Sequence, residues 1–268
     1  MKKTGSINIF TNHTEISEKT RAHLAGKLTD AGYKVTDSFS HETELIICVG
    51  GDGTFLEAVH TLDFPQCPII GVNTGHLGFF QEISPESMDS FISDYGKGEY
   101  SIQTLNTVLA TVTDRHGRQS RHLGLNEIVI KGRHSYSVHL YISIDGVPIE
   151  KFSGDGILVA TSAGSTAYNY SLGGSIADPR LKLLQVTPMA PMNTTAYRSF
   201  TSSILLPADL SLGVVPEHQE NCIFITNDGI ETGYTDVKDI KVEVSDTSVR
   251  LLRFKNYDFW NKVKTKFL

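Results

Sequence analysis

Leu45-Ile46-Ile47-Cys48-Val49-Gly50-Gly51-Asp52-Gly53-Thr54 is the stretch on which the fold turns. Its five apolar residues in a row read as a buried strand. The run breaks into Gly50-Gly51-Asp52-Gly53, and a helical pattern starts at Thr54 with Phe55, Leu56, Ala58 and Val59. Glycines in a strand-to-helix turn let backbone N–H groups approach a phosphate with no Cβ in the way. Asp52 is the one ionisable group in the turn, and a carboxylate repels phosphate. It therefore points to another task, such as accepting a proton or holding a metal. The plainer alternative is a tight turn in which Asp52 caps the helix. The stretch is not a Walker A loop, since no Gly-Lys-Ser/Thr follows, and it lacks the Gly-x-Gly-x-x-Gly spacing of the dinucleotide fingerprint.

Outward from this turn, the first hundred residues alternate strand and helix. Ile7-Asn8-Ile9-Phe10 reads as a strand, and Glu15 to Ala31 as a helix that stops at Gly32. A weak strand follows near Tyr33–Val35, then the Leu45–Val49 strand and a helix from Thr54 to about Leu62. Pro68-Ile69-Ile70-Gly71-Val72 is a further strand running into a second glycine turn, Asn73-Thr74-Gly75-His76-Leu77-Gly78-Phe79. A helix is expected after Pro85, ending near Gly96. Repeated βα units with apolar strands predict a parallel sheet. Two glycine turns at strand C-termini would lie on one edge of it, where α/β folds bind ligands.

After about Tyr100 the rhythm changes to short strands: Val108–Thr113, Glu127–Lys131, Val138–Ile144, Ile157–Thr161, Ser202–Leu206, Cys222–Thr226, Ile240–Val244 and Val249–Phe254. Turn chemistry such as Asp114-Arg115-His116-Gly117 and Asp145-Gly146 separates them. The expected architecture is an α/β N-terminal domain plus an all-β, sandwich-like C-terminal domain. The α/β domain takes residues 1–100, and the β-rich domain residues 101–254. A short helix closes the chain from Asp258, where Lys262, Lys264 and Lys266 read as a solvated face.

Composition narrows the class. The 268 residues allow one large domain or two ordinary ones, and 40% apolar with 20% charged residues describes a soluble globular chain. A net charge of −6 argues against a nucleic-acid partner. No apolar run approaches the ~18–20 residues that span a bilayer, and the basic start, Met1-Lys2-Lys3, lacks the apolar segment of a signal peptide, so no membrane partner is expected. Cys48, Cys67 and Cys222 are scattered thiols, read as reduced core cysteines of a cytoplasmic protein. The ten histidines form no His-x₃-His or His-Glu-x-x-His pair, so no transition-metal site built by the protein alone is expected.

Two further segments carry candidate chemistry. Leu125-Asn126-Glu127-Ile128 sets an amide beside a carboxylate at a strand start: an Asn reads donor and acceptor edges, and a Glu accepts from a ribose hydroxyl. A solvated strand end is the local alternative. The densest polar cluster is Ser153-Gly154-Asp155-Gly156 followed by Ser162-Ala163-Gly164-Ser165-Thr166-Ala167-Tyr168-Asn169-Tyr170-Ser171. Its small residues let a flat ligand approach the backbone, and Thr166, Tyr168 and Ser171 offer hydroxyls. Ser165 has no Gly-x-Ser-x-Gly elbow around it and is not read as a nucleophile.

In this order and over nearly the whole chain, these segments resemble the NAD kinase family. Gly50-Gly51-Asp52-Gly53-Thr54 is shared with lipid kinases. Asn73-Thr74-Gly75-His76-Leu77-Gly78-Phe79, Asn126-Glu127, and Gly164-Ser165-Thr166-Ala167-Tyr168 with Ser171 are more particular. The resemblance implies transfer of the γ-phosphate of ATP to the 2′-hydroxyl of the adenosine ribose of NAD, with Mg²⁺ or Mn²⁺, in a homodimer or homotetramer. It also implies that the chain end, about 255–268, returns to the first domain. It makes Asp52 the proton acceptor and places it with Gly53 at the NAD site. Gly50, Gly51, Gly53, Thr54, Asn73 and Gly75 form the phosphate loop. Asn126 and Glu127 become adenosine contacts, and Asp155 contacts the other half of the dinucleotide. Ser153, Thr166, Ala167, Tyr168, Asn169, Tyr170, Ser171 and Ala190 complete the NAD pocket.

Three segments depart from the family pattern. Ser162-Ala163 stands where Thr-Pro is commonest, and Ser153 where a basic residue is frequent, the nearest cation being Lys151. Thr195-Ala196-Tyr197-Arg198-Ser199 replaces the usual His-Ser…Arg-Pro. These bear on how the diphosphate is neutralised and how NAD is told from NADH. The rival readings are a lipid or sugar kinase sharing the glycine loop, which would not need Asn126-Glu127, and a non-catalytic NAD(P) sensor, which would tolerate loss of Asp52. A plain oxidoreductase is a third, without the Rossmann fingerprint.

Overall fold

The computed structural model describes residues 5–75, 78–133, 136–194, 198–218 and 222–267. They form two compact units, Met1–Thr104 with Ser248–Leu268, and Leu105–Thr247. The chain runs through β1 (Ser6–Thr11), α1 (Glu15–Asp30), β2 (Lys34–Thr36), β3 (Thr43–Gly50), α2 (Asp52–Thr61), β4 (Ile69–Asn73), β5 (Gln81–Ile83), α3 (Met88–Lys97) and β6 (Tyr100–Asp114). It continues with β7 (Gln119–Gly124), β8 (Glu127–Gly132), β9 (Val138–Ile144), β10 (Val147–Gly154), β11 (Gly156–Thr161), α4 (Tyr168–Ser171) and β12 (Leu183–Met189). The last elements are β13 (Ile204–Pro207), β14 (Leu212–Pro216), β15 (Ile223–Asn227), β16 (Ile230–Tyr234), β17 (Val237–Phe254) and α5 (Phe259–Phe267).

In the first unit, β2, β1, β3 and β4 lie side by side and parallel, and β4 pairs in parallel with both β5 and β17. Strand β3 is buried from Leu45 to Gly50, which fits its unbroken apolar run, since a parallel strand covered on both faces has no polar side to show. One core joins Ile7, Ile9, Leu45, Ile47, Val49, Ile70 and Val72 of the sheet to Leu24 and Leu28 of α1 and Met88 and Phe91 of α3. Helix α1 starts on Thr14, whose side chain accepts from Ser17 N–H, and stops before Gly32 at φ +83°. The register sets Gly50, at the end of β3, opposite Asn73, at the end of β4. Both glycine turns thus leave the sheet at neighbouring C-terminal strand ends.

The second unit is a sandwich of antiparallel strands. One sheet runs β13-β12-β11-β8-β15-β16. Facing it are β10, β9, β14 and the first half of β17, with the β6–β7 hairpin. Both contribute to one core, which includes Val108, Ile128, Ile130, Leu140, Phe152, Ile157, Val159, Val186, Val214, Ile225 and Val242.

Several elements differ from the sequence expectation. Ile240–Val244 and Val249–Phe254 belong to one strand, β17, because the polar Ser245-Asp246-Thr247-Ser248 stays extended rather than turning. The division between the units falls inside that strand, at Thr247/Ser248 and not at residue 254, since Leu251 already pairs with Ile69. Helix α2 begins at Asp52, two residues before Thr54. Strands β5, β7, β10, β12, β14 and β16 carry no distinct signal. Gln119–His122 is polar throughout, and Pro148, Pro188 and Pro216 break the usual strand composition. No helix among the described residues is long and apolar enough to cross a membrane.

Candidate active site

On the first unit, the candidate residues gather where β3 meets α2. Gly51 caps the helix without a side chain, and Asp52 is its first residue. The Asp52 carboxylate does not cap α2. It turns to the chain after β4, where Oδ2 accepts from Phe79 N–H at 2.9 Å and Oδ1 from Phe80 N–H at 3.0 Å. Each oxygen uses one lone pair on an amide and keeps another. The side chain is 27% exposed, so it is anchored yet open to a ligand. Gly78 makes this approach possible: a Cβ there would lie 2.7 Å from the Asp52 Cγ. At Gly50 a Cβ would lie 2.7 Å from Thr54 Cβ, which fixes Gly50 and Thr54 as packing partners within the turn. Gly51, Gly53 and Gly75 face open space where a Cβ would go.

Asn73 folds onto its own turn. Its side-chain amide donates to Gly75 O at 3.0 Å and accepts from Gly75 N–H at 3.1 Å. Thr74 Oγ1 lies 3.0 Å from Ser17 Oγ, tying the turn to α1. His76 and Leu77 of the same turn lie outside the described residues.

Helix α5 supplies two lysines here. Lys266 Nζ is 3.7 Å from Asp52 Oδ2 and 4.8 Å from the centre of the Phe79 ring. Lys262 donates to the carbonyls of Gly78 and Phe79, at 3.2 Å each, and to Gln81 O. Lys264 is exposed. The solvated face expected of Lys262, Lys264 and Lys266 is thus corrected for Lys262, because the helix docks with that ammonium over three backbone acceptors.

A second group of candidate residues lies on the second unit, at the start of β8. Asn126 and Glu127 are buried, at 6% and 8% exposure, and not a solvated strand end. The N–H groups of Leu125, Asn126 and Glu127 all donate to the Asp228 carboxylate, at 2.6, 2.8 and 3.1 Å. Asp228 sits with Gly229 in the β15–β16 turn, both at positive φ. Asn126 Oδ1 and Glu127 Oε2 have no hydrogen-bond partner among the described residues. Two buried polar atoms side by side without a protein partner are candidates for contact with a ligand or water. Burial, with the Asp228 charge added, pushes the Glu127 carboxyl up to about 8. It therefore holds a proton at neutral pH and can donate as well as accept.

The loop after β11 closes onto this pair. Thr161 Oγ1 donates to Leu125 O at 2.7 Å and accepts from Gly164 N–H at 3.1 Å. A Cβ on Gly164 would lie 2.5 Å from the Asn126 carbonyl carbon, so only glycine fits. Tyr168, Tyr170 and Ser171 are exposed, Ala167 is half-buried and Thr166 is buried. Asn169 is not on the surface: fully buried, it donates to Ser165 O and Ser175 O and accepts from Thr187 Oγ1 at 2.6 Å. Its polar atoms are spent on bonds that shape the loop. Ser153 is likewise fully buried, its N–H donating to Ser199 Oγ at 2.9 Å. Asp155 and Ala190 are exposed, and Ala190 holds φ +43°, a strained value for a residue with a Cβ. Lys151, the cation nearest to Ser153 in sequence, pairs with Glu217 at 2.5 Å. Thr195, Ala196 and Tyr197 lie outside the described residues.

Sequence reasoning missed Asp228 and Lys262. Asn227-Asp228-Gly229 carries a hairpin-turn signal, but nothing local says that its carboxylate gathers three amides a hundred residues away. Among the described residues no three His, Cys, Asp or Glu side chains cluster as a metal site.

The chain matches two family models, the ATP-NAD kinase N-terminal domain over residues 3–100 and the ATP-NAD kinase C-terminal domain over residues 125–254. It is 38% identical over 266 residues to the NAD kinase of Finegoldia magna, covering 98% of this chain and 97% of that one. With NAD kinase 1 of Oceanobacillus iheyensis it shares 36% identity over 271 residues, 98% of each chain. Among solved structures, yeast NADH kinase complexed with NADH aligns with a TM-score of 0.85 at 18% identity, covering 98% of this chain and 87% of that one. An NAD kinase from Archaeoglobus fulgidus in complex with ATP aligns with a TM-score of 0.78 at 24% identity, covering 97% and 99%.

Proposed function

The chain belongs to the NAD kinase family, and we propose that it carries out that reaction with Asp52 as the base. The activity is ATP-dependent phosphorylation of NAD to NADP. A secondary ribose hydroxyl is a weak nucleophile. In our reading the 2′-oxygen gives its proton to a free lone pair of the Asp52 carboxylate as the new O–P bond forms to the γ-phosphorus. The bond from that phosphorus to the bridging oxygen breaks and ADP leaves. The observation that carries this is the half-buried carboxylate held on the Phe79 and Phe80 amides at the first residue of α2. A base clamped at both oxygens loses little freedom on reaching the transition state.

The open turn around Gly51 and Gly53 leaves room for phosphate oxygens to approach the backbone, and the N-terminus of α2 favours negative charge. Asn73 acts through the shape of its turn. On the second unit, Asn126 and protonated Glu127 are assigned to the adenosine, Tyr168 to stacking, and Asp155 with Ala190 to the remainder of the dinucleotide. Ser153 and Asn169 support these from beneath. A divalent cation, Mg²⁺ or Mn²⁺, would arrive on the phosphates of ATP, since the described side chains assemble no cluster to hold one. Its chemistry is to neutralise charge on the transferring phosphoryl group. We also assign the protein to the cytoplasm, as a homodimer or homotetramer.

An end-point assay for NADP made from NAD and ATP-Mg²⁺ tests the reading. Asp52→Asn should keep NAD binding and lose about 10²–10⁴ in turnover. Unchanged turnover in the purified variant refutes the base role.

A further inference from the structure

We propose that Lys262 is a positioning residue for the phosphoryl transfer: by gathering the carbonyls of the Gly78–Gln81 segment it holds the amides that aim Asp52. This rests on Asp52 being the proton acceptor. The segment after β4 has two edges. Its N–H groups at Phe79 and Phe80 point to the Asp52 carboxylate, and its carbonyls at Gly78, Phe79 and Gln81 point to Lys262 Nζ. The same four residues thus link one ammonium to one carboxylate through peptide groups. A peptide whose carbonyl is bound to a cation is also a more polarised N–H donor on its other side. Docking α5 does more than cover the unit: Phe79 packs against Phe259 and Phe267 of that helix, with ring centres 5.8 and 5.7 Å apart. The segment is therefore gripped from the α5 side by two rings and one ammonium.

An ammonium is the group this arrangement needs. Lys presents three donors, one for each carbonyl, and no other single side chain offers three in that compact geometry. The groups facing it are Arg253 and Glu82, paired with each other at 3.1 Å, Tyr257, Asp52 and Lys266. Burial, reinforced by the Arg253 charge and partly offset by Glu82 and Asp52, brings the amine down to about 8. The amine keeps all three donors only below that pH. Above it the neutral amine has two hydrogens and turns a lone pair toward a carbonyl, so the segment loosens.

The test uses the full-length protein and Lys262→Met, Lys262→Gln, Glu127→Gln and Asp52→Asn. Wild-type enzyme that makes no NADP from NAD and ATP-Mg²⁺ fails the family reading itself, whereas everything below presumes wild-type turnover. Lys262→Met is expected to lower kcat about 10²-fold, the scale of a 1 Å misplacement, with KM for NAD and ATP within about twofold. In the Asp52→Asn background the same change should alter residual turnover less than about twofold, because the residue it acts through is already gone. In a Glu127→Gln background, which removes the other group that titrates at about 8, kcat should fall as pH rises through about 8, and adding Lys262→Gln, which keeps donors but does not titrate, should abolish that alkaline limb. The proposal is overturned by a Lys262→Met kcat within about twofold of wild type, by losses that multiply with Asp52→Asn, or by an equal alkaline limb in Lys262→Gln. Should Lys262→Met fail to fold, the pH comparison with Lys262→Gln decides alone.

Discussion

Replacing Glu127 with Gln isolates a buried carboxyl whose Oε2 has no hydrogen-bond partner among the described residues. In the folded chain this group is pushed from the ordinary 4.5 up to about 8 by burial and by the neighbouring Asp228 charge. The folded state therefore binds the proton more tightly than the unfolded state. Its contribution to stability is fully present below about 4.5 and is lost as pH rises through about 8. The interval, at about 1.4 kcal/mol for each tenfold change in proton affinity, sets a ceiling of about 5 kcal/mol. Relaxation around the ionised group trims that to about 2–5 kcal/mol. Gln is nearly isosteric with the protonated acid and does not titrate, so Glu127→Gln should track wild type at pH 5 and exceed it by about 2–5 kcal/mol at pH 9. Urea unfolding of both proteins from pH 5 to pH 9 measures the difference, and subtraction cancels every other titrating group. Curves that stay parallel over the whole range would show that Glu127 is ionised in the folded chain. The proton-donating role assigned to it would then be wrong.

Three other outcomes are expected. Gly78→Ala puts a methyl 2.7 Å from the Asp52 Cγ and so dislodges the carboxylate from its two amides; steady-state assays should show kcat down about 10²-fold, and a KM effect without a kcat effect would contradict the clamp. Gly164→Ala drives a methyl against the Asn126 carbonyl, a backbone atom with nowhere to yield. Urea unfolding should show a loss of about 1–3 kcal/mol, and calorimetric titration a weaker NAD affinity. Cys48 is fully buried and its thiol is pushed far up by burial, with Cys67 half-buried and raised to about 11. Ellman's reagent at pH 8 should leave Cys48 unreacted until denaturant is added, and immediate reaction of Cys48 in the native protein would mean that β3 is not covered on both faces.

The sequence by itself determined what is written in consecutive residues. An apolar run with no polar alternation, Leu45 to Val49, reads as a strand covered on both faces. The glycines after it, and those after Val72, read as turns at strand ends. The β-rich half was legible where strands are apolar, as in Val138–Ile144. It was illegible where partners supply the stability, as in the polar β7, or where a strand stays extended through Ser245–Ser248 because neighbours hold it. Asp52 stood out as chemistry because a carboxylate sits oddly in a glycine turn, whereas Asn126 and Glu127 read locally as a solvated strand end and gained a role only through the family resemblance.

What only the tertiary structure decided is which atoms those groups face. Asp52 could have capped its own helix, yet its carboxylate is held by amides 27 and 28 residues on. Asp228 drew no reading from the sequence, and it organises the start of β8 from 101 to 103 residues away. Lys262 read as one of three solvated cations, and docking of α5 took its ammonium out of water and onto three carbonyls. Hydrogen bonds to a carboxylate or an ammonium depend on distance and angle in space, and spacing along the chain carries no record of them until packing brings the segments together.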